Sequence, residues 1–174
     1  MTGSAARTLV RFSVPGEPVA KARARSVPLM RGGKPVIGAG GRPVILHHTP
    51  DKTVRYENLV KLAAREAMGS RAPSDAALQL TVHAVFTIPA SWSQRKRAAA
   101  IGTPVTKRPD LDNVVKAVKD GCNGVVWRDD CQVASLGGTR KVYGEWPRVD
   151  IEVEVLPLED QHPHRPGAAD LEIV

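Results

Sequence analysis

The chain has 174 residues, of which 42% are hydrophobic and 25% charged, and it carries a net charge of +7. That length suits one domain, and that balance suits a packed core rather than a disordered chain. No apolar run approaches the roughly 20 residues of a membrane span, and residues 1–9 lack the apolar block of a signal peptide, so the expected location is the cytoplasm with no membrane partner. Thr8 to Val14 alternates apolar and polar residues and predicts a first strand, ended by Pro15-Gly16. Residues 17–48 are rich in glycine, proline and basic residues, which predicts a long loop or a loop carrying a short hairpin. A helix is expected to begin near Thr49-Pro50-Asp51, with Thr49 or Asp51 as its cap. Tyr56, Leu59, Val60, Ala63 and Ala67 then recur at helical spacing, and Gly69 ends the pattern.

From Leu78 to Pro89 the pattern is that of a strand. Leu80, Val82, Ala84, Phe86 and Ile88 face one way, and Gln79, Thr81, His83 and Thr87 the other. Ser91 to Ala100 predicts a short, basic, polar helix, and Pro109 to Cys122 a second well-defined one. Gln132 to Tyr143 should supply one more strand, and Val149, Ile151, Val153 and Val155 mark the last. The stretch from Pro157 onward mixes proline, histidine, glycine and acids, which predicts a disordered tail after a domain spanning residues 8–156. Helices and strands mix without regular βαβ alternation. The expected class is therefore α+β, a single compact domain with a mixed sheet packed against helices. Cys122 and Cys131 make neither a disulfide scaffold nor a zinc site and are expected as buried or half-buried thiols. Trp127, which follows Val125-Val126, is expected to pack, although it and Trp92 could also stack on bases; Trp146 is expected in the core.

The positive charge is unevenly placed. No acid occurs between Glu17 and Asp51, where Lys21, Arg23, Arg25, Arg31, Lys34 and Arg42 all fall. None occurs between Asp75 and Asp110 either, where Arg95, Lys96, Arg97, Lys107 and Arg108 lie. Long acid-free basic stretches point to a polyanion, and Lys21, Arg23, Arg25, Arg95, Lys96, Arg97, Lys107 and Arg108, with Lys141 further on, are the expected contacts to nucleic acid.

The segment Lys107-Arg108-Pro109-Asp110-Leu111-Asp112-Asn113-Val114-Val115-Lys116 carries the densest chemistry. Leu111, Val115, Val118 and Cys122 form a buried stripe on the predicted helix, and Asp112, Lys116 and Asp120 share another face. Two carboxylates, Asp110 and Asp112, thus converge at a helix N-terminus. Held close, they repel, and a divalent cation relieves the conflict; magnesium prefers such hard oxygens. The same residues also suit a cap and an ordinary i, i+4 ion pair. The pattern becomes informative through Asp129-Asp130, which follow an apolar run out of the helix and are expected to return beside it.

The run PDLDNVVKAVKDGCNGVVWRDDCQV resembles the RusA family of Holliday junction resolvases, with a D-x-D-N followed by a lysine and then a D-D-x-Q. Asp110, Asp112, Asn113, Lys116, Asp129, Asp130 and Gln132 match that pattern in order and spacing, and looser likeness extends over about residues 10–156. The resemblance implies a homodimer that binds four-way junctions in double-stranded DNA and makes paired symmetric nicks. It implies that Asp110, Asp112 and Asp130 are essential and hold Mg2+, with Mn2+ as a possible substitute and no small-molecule cofactor. Lys116 is the implied essential lysine, and Asn113, Asp129 and Gln132 support. The long glycine-rich segment between Val19 and Thr49 departs from the most compact members, as does the short helix at Ser91 to Ala100.

Two other readings compete. A non-catalytic basic DNA-binding module would use the same charge, with the carboxylates acting only as caps. A phosphohydrolase for small esters would need a phosphate-cradling loop; Gly32-Gly33 and Gly38 to Gly41 lack the P-loop lysine and Ser/Thr.

Overall fold

A computed structural model describes residues 7–157. The main sheet is built on β6 (Leu78–Thr87), which pairs antiparallel with β9 (Arg148–Val155) along its length, and β9 pairs in turn with β1 (Arg7–Pro15). The registers place Val10, Phe12 and Val14 of β1 beside Val153, Ile151 and Val149 of β9, and these beside Leu80, Val82 and Ala84 of β6. Alternation thus gives the sheet one continuous aliphatic face, as its sequence pattern requires. The opposite face carries Arg11, Ser13, Thr81, His83, Asp150 and Glu152 and stays polar.

Two helices cover the aliphatic face: α1 (Asp51–Met68) and α3 (Leu111–Cys122). Tyr56, Val60, Ala64 and Met68 bury one stripe of α1 at i, i+4 spacing, together with Thr53. Leu59, expected inward, stands 38% exposed, because the stripe in use runs through Val60 and Ala64 instead. The two helices cross at Gly121, where a Cβ would lie 2.6 Å from the Cβ of Val60 and 2.9 Å from the Glu57 carbonyl. Only a hydrogen fits there, and this close approach seats α3 on the core. Gly69 ends α1 with φ 58°, as expected of a C-terminal glycine. Neither Thr49 nor Asp51 caps the helix: Pro50 holds the cap position with no side-chain bond, and Asp51 sits in the first turn. The helix α2 (Gln94–Ala100) is short and is capped by the Ser93 hydroxyl, which accepts from the Lys96 N–H.

Where one strand was expected after Gln132, there are two: β7 (Val133–Leu136) and β8 (Arg140–Gly144), both parallel to β6 on its other edge. Gly137 and Gly138 separate them. The chain steps around Thr81 there, since a side chain at Gly137 would collide with the Thr81 hydroxyl. Residues 17–48 carry the short hairpin that was one of the two expected forms, and a second strand pair besides. A stalk of β2 (Arg25–Pro28) and β5 (Ile45–His48) leads outward, and beyond it lies the hairpin of β3 (Met30–Arg31) and β4 (Lys34–Pro35). The glycine pairs read as possible phosphate loops are turns of this arm, with Gly32 and Gly33 at φ 58° and 77°.

Trp127 is completely buried. Trp146, expected in the core, is 76% exposed, because it sits in the turn between β8 and β9 and its side chain falls outside the packed faces. The predicted disordered tail, with His162 and His164, lies outside the described residues apart from Pro157. No helix among the described residues is long and apolar enough to cross a membrane.

Candidate active site

The helix α3 organises the site. Asp110 is its N-cap residue, in extended conformation, and Asp112 lies in its first turn. Both carboxylates are therefore at the positive end of the helix dipole, which favours negative charge there. One turn on, the Lys116 Nζ donates to Asp112 Oδ2 at 3.2 Å. The loop before Asp110 is tied down from β8, where Lys141 Nζ donates to the carbonyls of Lys107 (2.8 Å) and Pro109 (2.7 Å). Lys141, expected to meet DNA, thus has its ammonium engaged in positioning the Asp110 loop.

The second acidic segment arrives by a different route. After α3 the chain turns through Asn123 and Gly124, and Trp127 forms bridges with both Asn123 and Ser74. Asp129 then caps a 3-10 turn over Asp130–Gln132, its carboxylate accepting from the Cys131 N–H at 2.9 Å. Gln132 closes a capping box: its Oε1 accepts from the backbone N–H groups of Arg128 and Asp129, and its Nε2 donates to the carbonyls of Ser74 (2.8 Å) and Ala76 (3.1 Å). The D-D-x-Q pattern is thus resolved into parts. Asp129 and Gln132 build the turn, and Asp130 is left to face α3, where its Oδ2 lies 3.5 Å from Lys119 Nζ. Asn113 contributes its backbone carbonyl to Lys21 N–H at 2.7 Å.

Asp112, Lys116 and Lys119 line one groove of about 560 Å³ between α3 and β7, floored by Leu111, Val115, Val133 and Leu136. Lys119 therefore links Asp130 to the groove that holds Asp112, while no three acidic, histidine or cysteine side chains among the described residues gather into one metal-holding cluster. Asp110, Asp112 and Asp130 therefore do not form the expected cluster among the described residues; Asp112 pairs with Lys116 and Asp130 with Lys119, both on α3. The donor chemistry still suits a hard cation. Asp112 and Asp130 are 63% and 48% exposed, and magnesium commonly binds through one or two carboxylates while keeping its waters. Their ammonium partners already supply positive charge; the exposed i, i+4 pair of Lys116 and Asp112 is worth only ~0.3–0.5 kcal/mol, which a divalent ion can displace.

The sequence of the chain from residue 15 to residue 154 matches the family model of the endodeoxyribonuclease RusA. The chain belongs to the RusA family. It is also 31% identical over 148 residues to the uncharacterized protein YqaN of Bacillus subtilis (strain 168), covering 83% of this chain and 94% of that one. RusA membership makes the chain an endodeoxyribonuclease of the Holliday junction resolvase type, a class that works on branched DNA with a divalent metal.

Among the residues expected to meet DNA, Lys21 is committed elsewhere, its Nζ held by Glu57 at 2.6 Å and Asp120 at 2.7 Å. Asp120, placed by helical spacing on the face of Asp112, serves this structural pair instead. Lys96 sits 4.1 Å from the centroid of the Trp92 ring, and Trp92 packs edge-on against Tyr143. Arg23, Arg25, Arg95, Arg97, Lys107 and Arg108 make no ion pair among the described residues. The role of Lys119 was missed from sequence because its partner is 11 positions away, on the far side of a turn.

Cys131 is exposed rather than buried, because it occupies the solvent side of the 3-10 turn. Its hydrogen bond to the Asp129 carboxylate raises the thiol pKa, and the same bond lowers that of Asp129. A raised pKa keeps the thiol protonated and slow to react. In Asp129→Asn, whose side chain still caps, iodoacetamide at about pH 8 is expected to alkylate Cys131 faster than in the parent protein. Mass spectrometry over time reads this directly; an unchanged rate would show that the carboxylate does not control the thiol.

Proposed function

We propose that the protein resolves four-way DNA junctions by paired, symmetric, magnesium-dependent phosphodiester hydrolysis, acting as a homodimer. The observation that carries this reading is the arrangement on α3: Asp110 at the cap, Asp112 in the first turn, Lys116 one turn on, and Asp130 held to the same helix through Lys119. Asp110, Asp112 and Asp130 are the residues that would hold the ion. When bound, magnesium supplies a water of lowered pKa and stabilises charge on a phosphoryl oxygen. Lys116 offers its ammonium to the scissile phosphate as negative charge develops. Either Asp112 or Asp130 accepts the proton of the attacking water. Arg23, Arg25, Arg95, Lys96, Arg97, Lys107 and Arg108 bind backbone phosphates, which fixes the enzyme on DNA without reading sequence. A two-fold dimer places a second copy of the site against the strand of like polarity, so the two cuts are symmetric.

The test is a synthetic four-way junction labelled on each strand in turn. Nicks at symmetric positions are expected with magnesium and none with a chelator, from a species twice the 18.7 kDa of one chain. A shifted band that is never nicked, at any metal concentration, would reduce the protein to a DNA-binding module.

A further inference from the structure

The arm formed by residues 25–48 holds itself together. At its centre three segments between the strands meet in a closed ring of backbone hydrogen bonds: Leu29 N–H donates to the Val44 carbonyl (2.8 Å), Val44 N–H to that of Val36 (2.9 Å), and Val36 N–H to that of Leu29 (2.7 Å). These three side chains are half-buried, and the ring sends out two turns, one through Gly32-Gly33 and one closed by the Ile37–Pro43 bridge. Yet Val27, Met30, Ile37, Ile45 and Leu46 are each between 45% and 54% exposed. A single exposed apolar residue needs no explanation, but five on one small arm mark a surface that meets something.

The chemistry of that partner is constrained by charge. Arg25, Arg31, Lys34 and Arg42 share the arm, no acid occurs between Glu17 and Asp51, and none of the four makes an ion pair among the described residues. Unpaired cations beside exposed aliphatic side chains suit a polyanion that also offers flat apolar faces. A continuous duplex supplies the phosphates but keeps its bases stacked; a branch point exposes the faces of the base pairs that end there. The root of the arm is pinned near the site. Lys21 is fastened to α3 through the Asn113 carbonyl and Asp120, and to α1 through Glu57, and α3 is the helix that carries Asp110 and Asp112 at its start.

We propose that this arm enters branched DNA at the point of strand exchange, its cations on phosphates and Met30 and Ile37 against the exposed base faces, and so distinguishes branched from linear DNA. The inference rests on the junction-resolving reading above and assigns branch selectivity to a segment outside the carboxylate site.

The test uses the full chain and two variants that leave the ring of Leu29, Val36 and Val44 intact. Binding is measured on a four-way junction carrying 2-aminopurine at the branch and on a linear duplex of equal length. Wild-type protein is expected to prefer the junction and to raise 2-aminopurine fluorescence. Met30→Ser with Ile37→Ser is expected to bind the junction roughly tenfold or more weakly, lose the fluorescence rise, and bind linear DNA unchanged. Arg31→Ala with Lys34→Ala and Arg42→Ala is expected to weaken both and to lower the salt slope by roughly 2 to 3. Retained junction preference and fluorescence in the Met30/Ile37 variant would overturn the arm proposal alone. A fall in its mass by light scattering would also overturn it, making the arm a contact between copies. A wild-type protein indifferent to branching would overturn this proposal and the resolvase reading together.

Discussion

Asp112→Asn is expected to slow junction cleavage on the order of 10²–10³-fold while leaving junction binding equal or tighter, and Asp110→Asn and Asp130→Asn should behave alike. The substitution preserves shape and removes one negative charge. That charge has a local partner, the Lys116 ammonium at 3.2 Å, so its loss frees a cation for a phosphate to meet and should not weaken DNA binding electrostatically. It does remove a hard oxygen from a small set, and a hard cation held through one or two carboxylates depends heavily on each. Stability should barely change, since Asn is as good as Asp at an N-cap and Asp110 makes no side-chain cap bond. Asp129→Asn is the internal control. Its carboxylate is turned to the Cys131 N–H, so its cleavage rate should stay close to wild type. Single-turnover rates at saturating protein, with gel shifts beside them, separate the two kinds of loss. A rate for Asp112→Asn within tenfold of wild type would remove Asp112 from the catalytic set.

Trp127→Ala is expected to destabilise the fold by about 3–5 kcal/mol, against a total of about 5–15 kcal/mol for a domain of this size. Trp127 has no solvent exposure, and its backbone bridges both Ser74 and Asn123, joining the end of α3 to the start of β6. Removing the indole leaves a cavity under the turn that carries Asp129–Gln132, so the damage should reach the site as well as the core. Trp127→Phe should cost much less. The indole Nε1–H is buried with no hydrogen-bond partner among the described residues, and phenylalanine removes that unsatisfied donor while keeping most of the apolar surface. Urea midpoints for the two variants, at unchanged m-value, measure the contrast. An alanine variant as stable as wild type would mean that the packing around this residue is not what holds the acidic turn.

Much of the architecture was legible because it depends on period and punctuation. β1, β6 and β9 announce themselves by strict alternation, the end of α1 by Gly69 and the start of α3 by Asp110 just before Leu111. The break between β7 and β8 was not legible: Gly137-Gly138 are weak signals alone, and only the approach to Thr81 makes them a step. Trp146 was misplaced because hydrophobicity reports what a side chain gains from burial, not whether a turn offers it anywhere to be buried. The arm is basic and glycine-rich in sequence, but its ring of three segments joins residues up to 15 positions apart by backbone bonds, which leave no trace in side-chain pattern.

By itself the sequence determined the chemical inventory: hard carboxylates at a helix start, a lysine one turn on, a second acidic pair after an apolar turn, and a surplus of cations in two acid-free stretches. These are local, because spacing along a helix and charge along a chain need no knowledge of distant partners. Tertiary structure decided how that inventory is divided. It assigned Asp129 and Gln132 to building a turn and Asp130 to facing Lys119, and it turned Lys21 and Lys141 inward to hold an arm and a loop. The reason is that the fate of a charged side chain is settled by whichever opposite charge or carbonyl the fold brings within about 3 Å, and that neighbour comes from a remote segment.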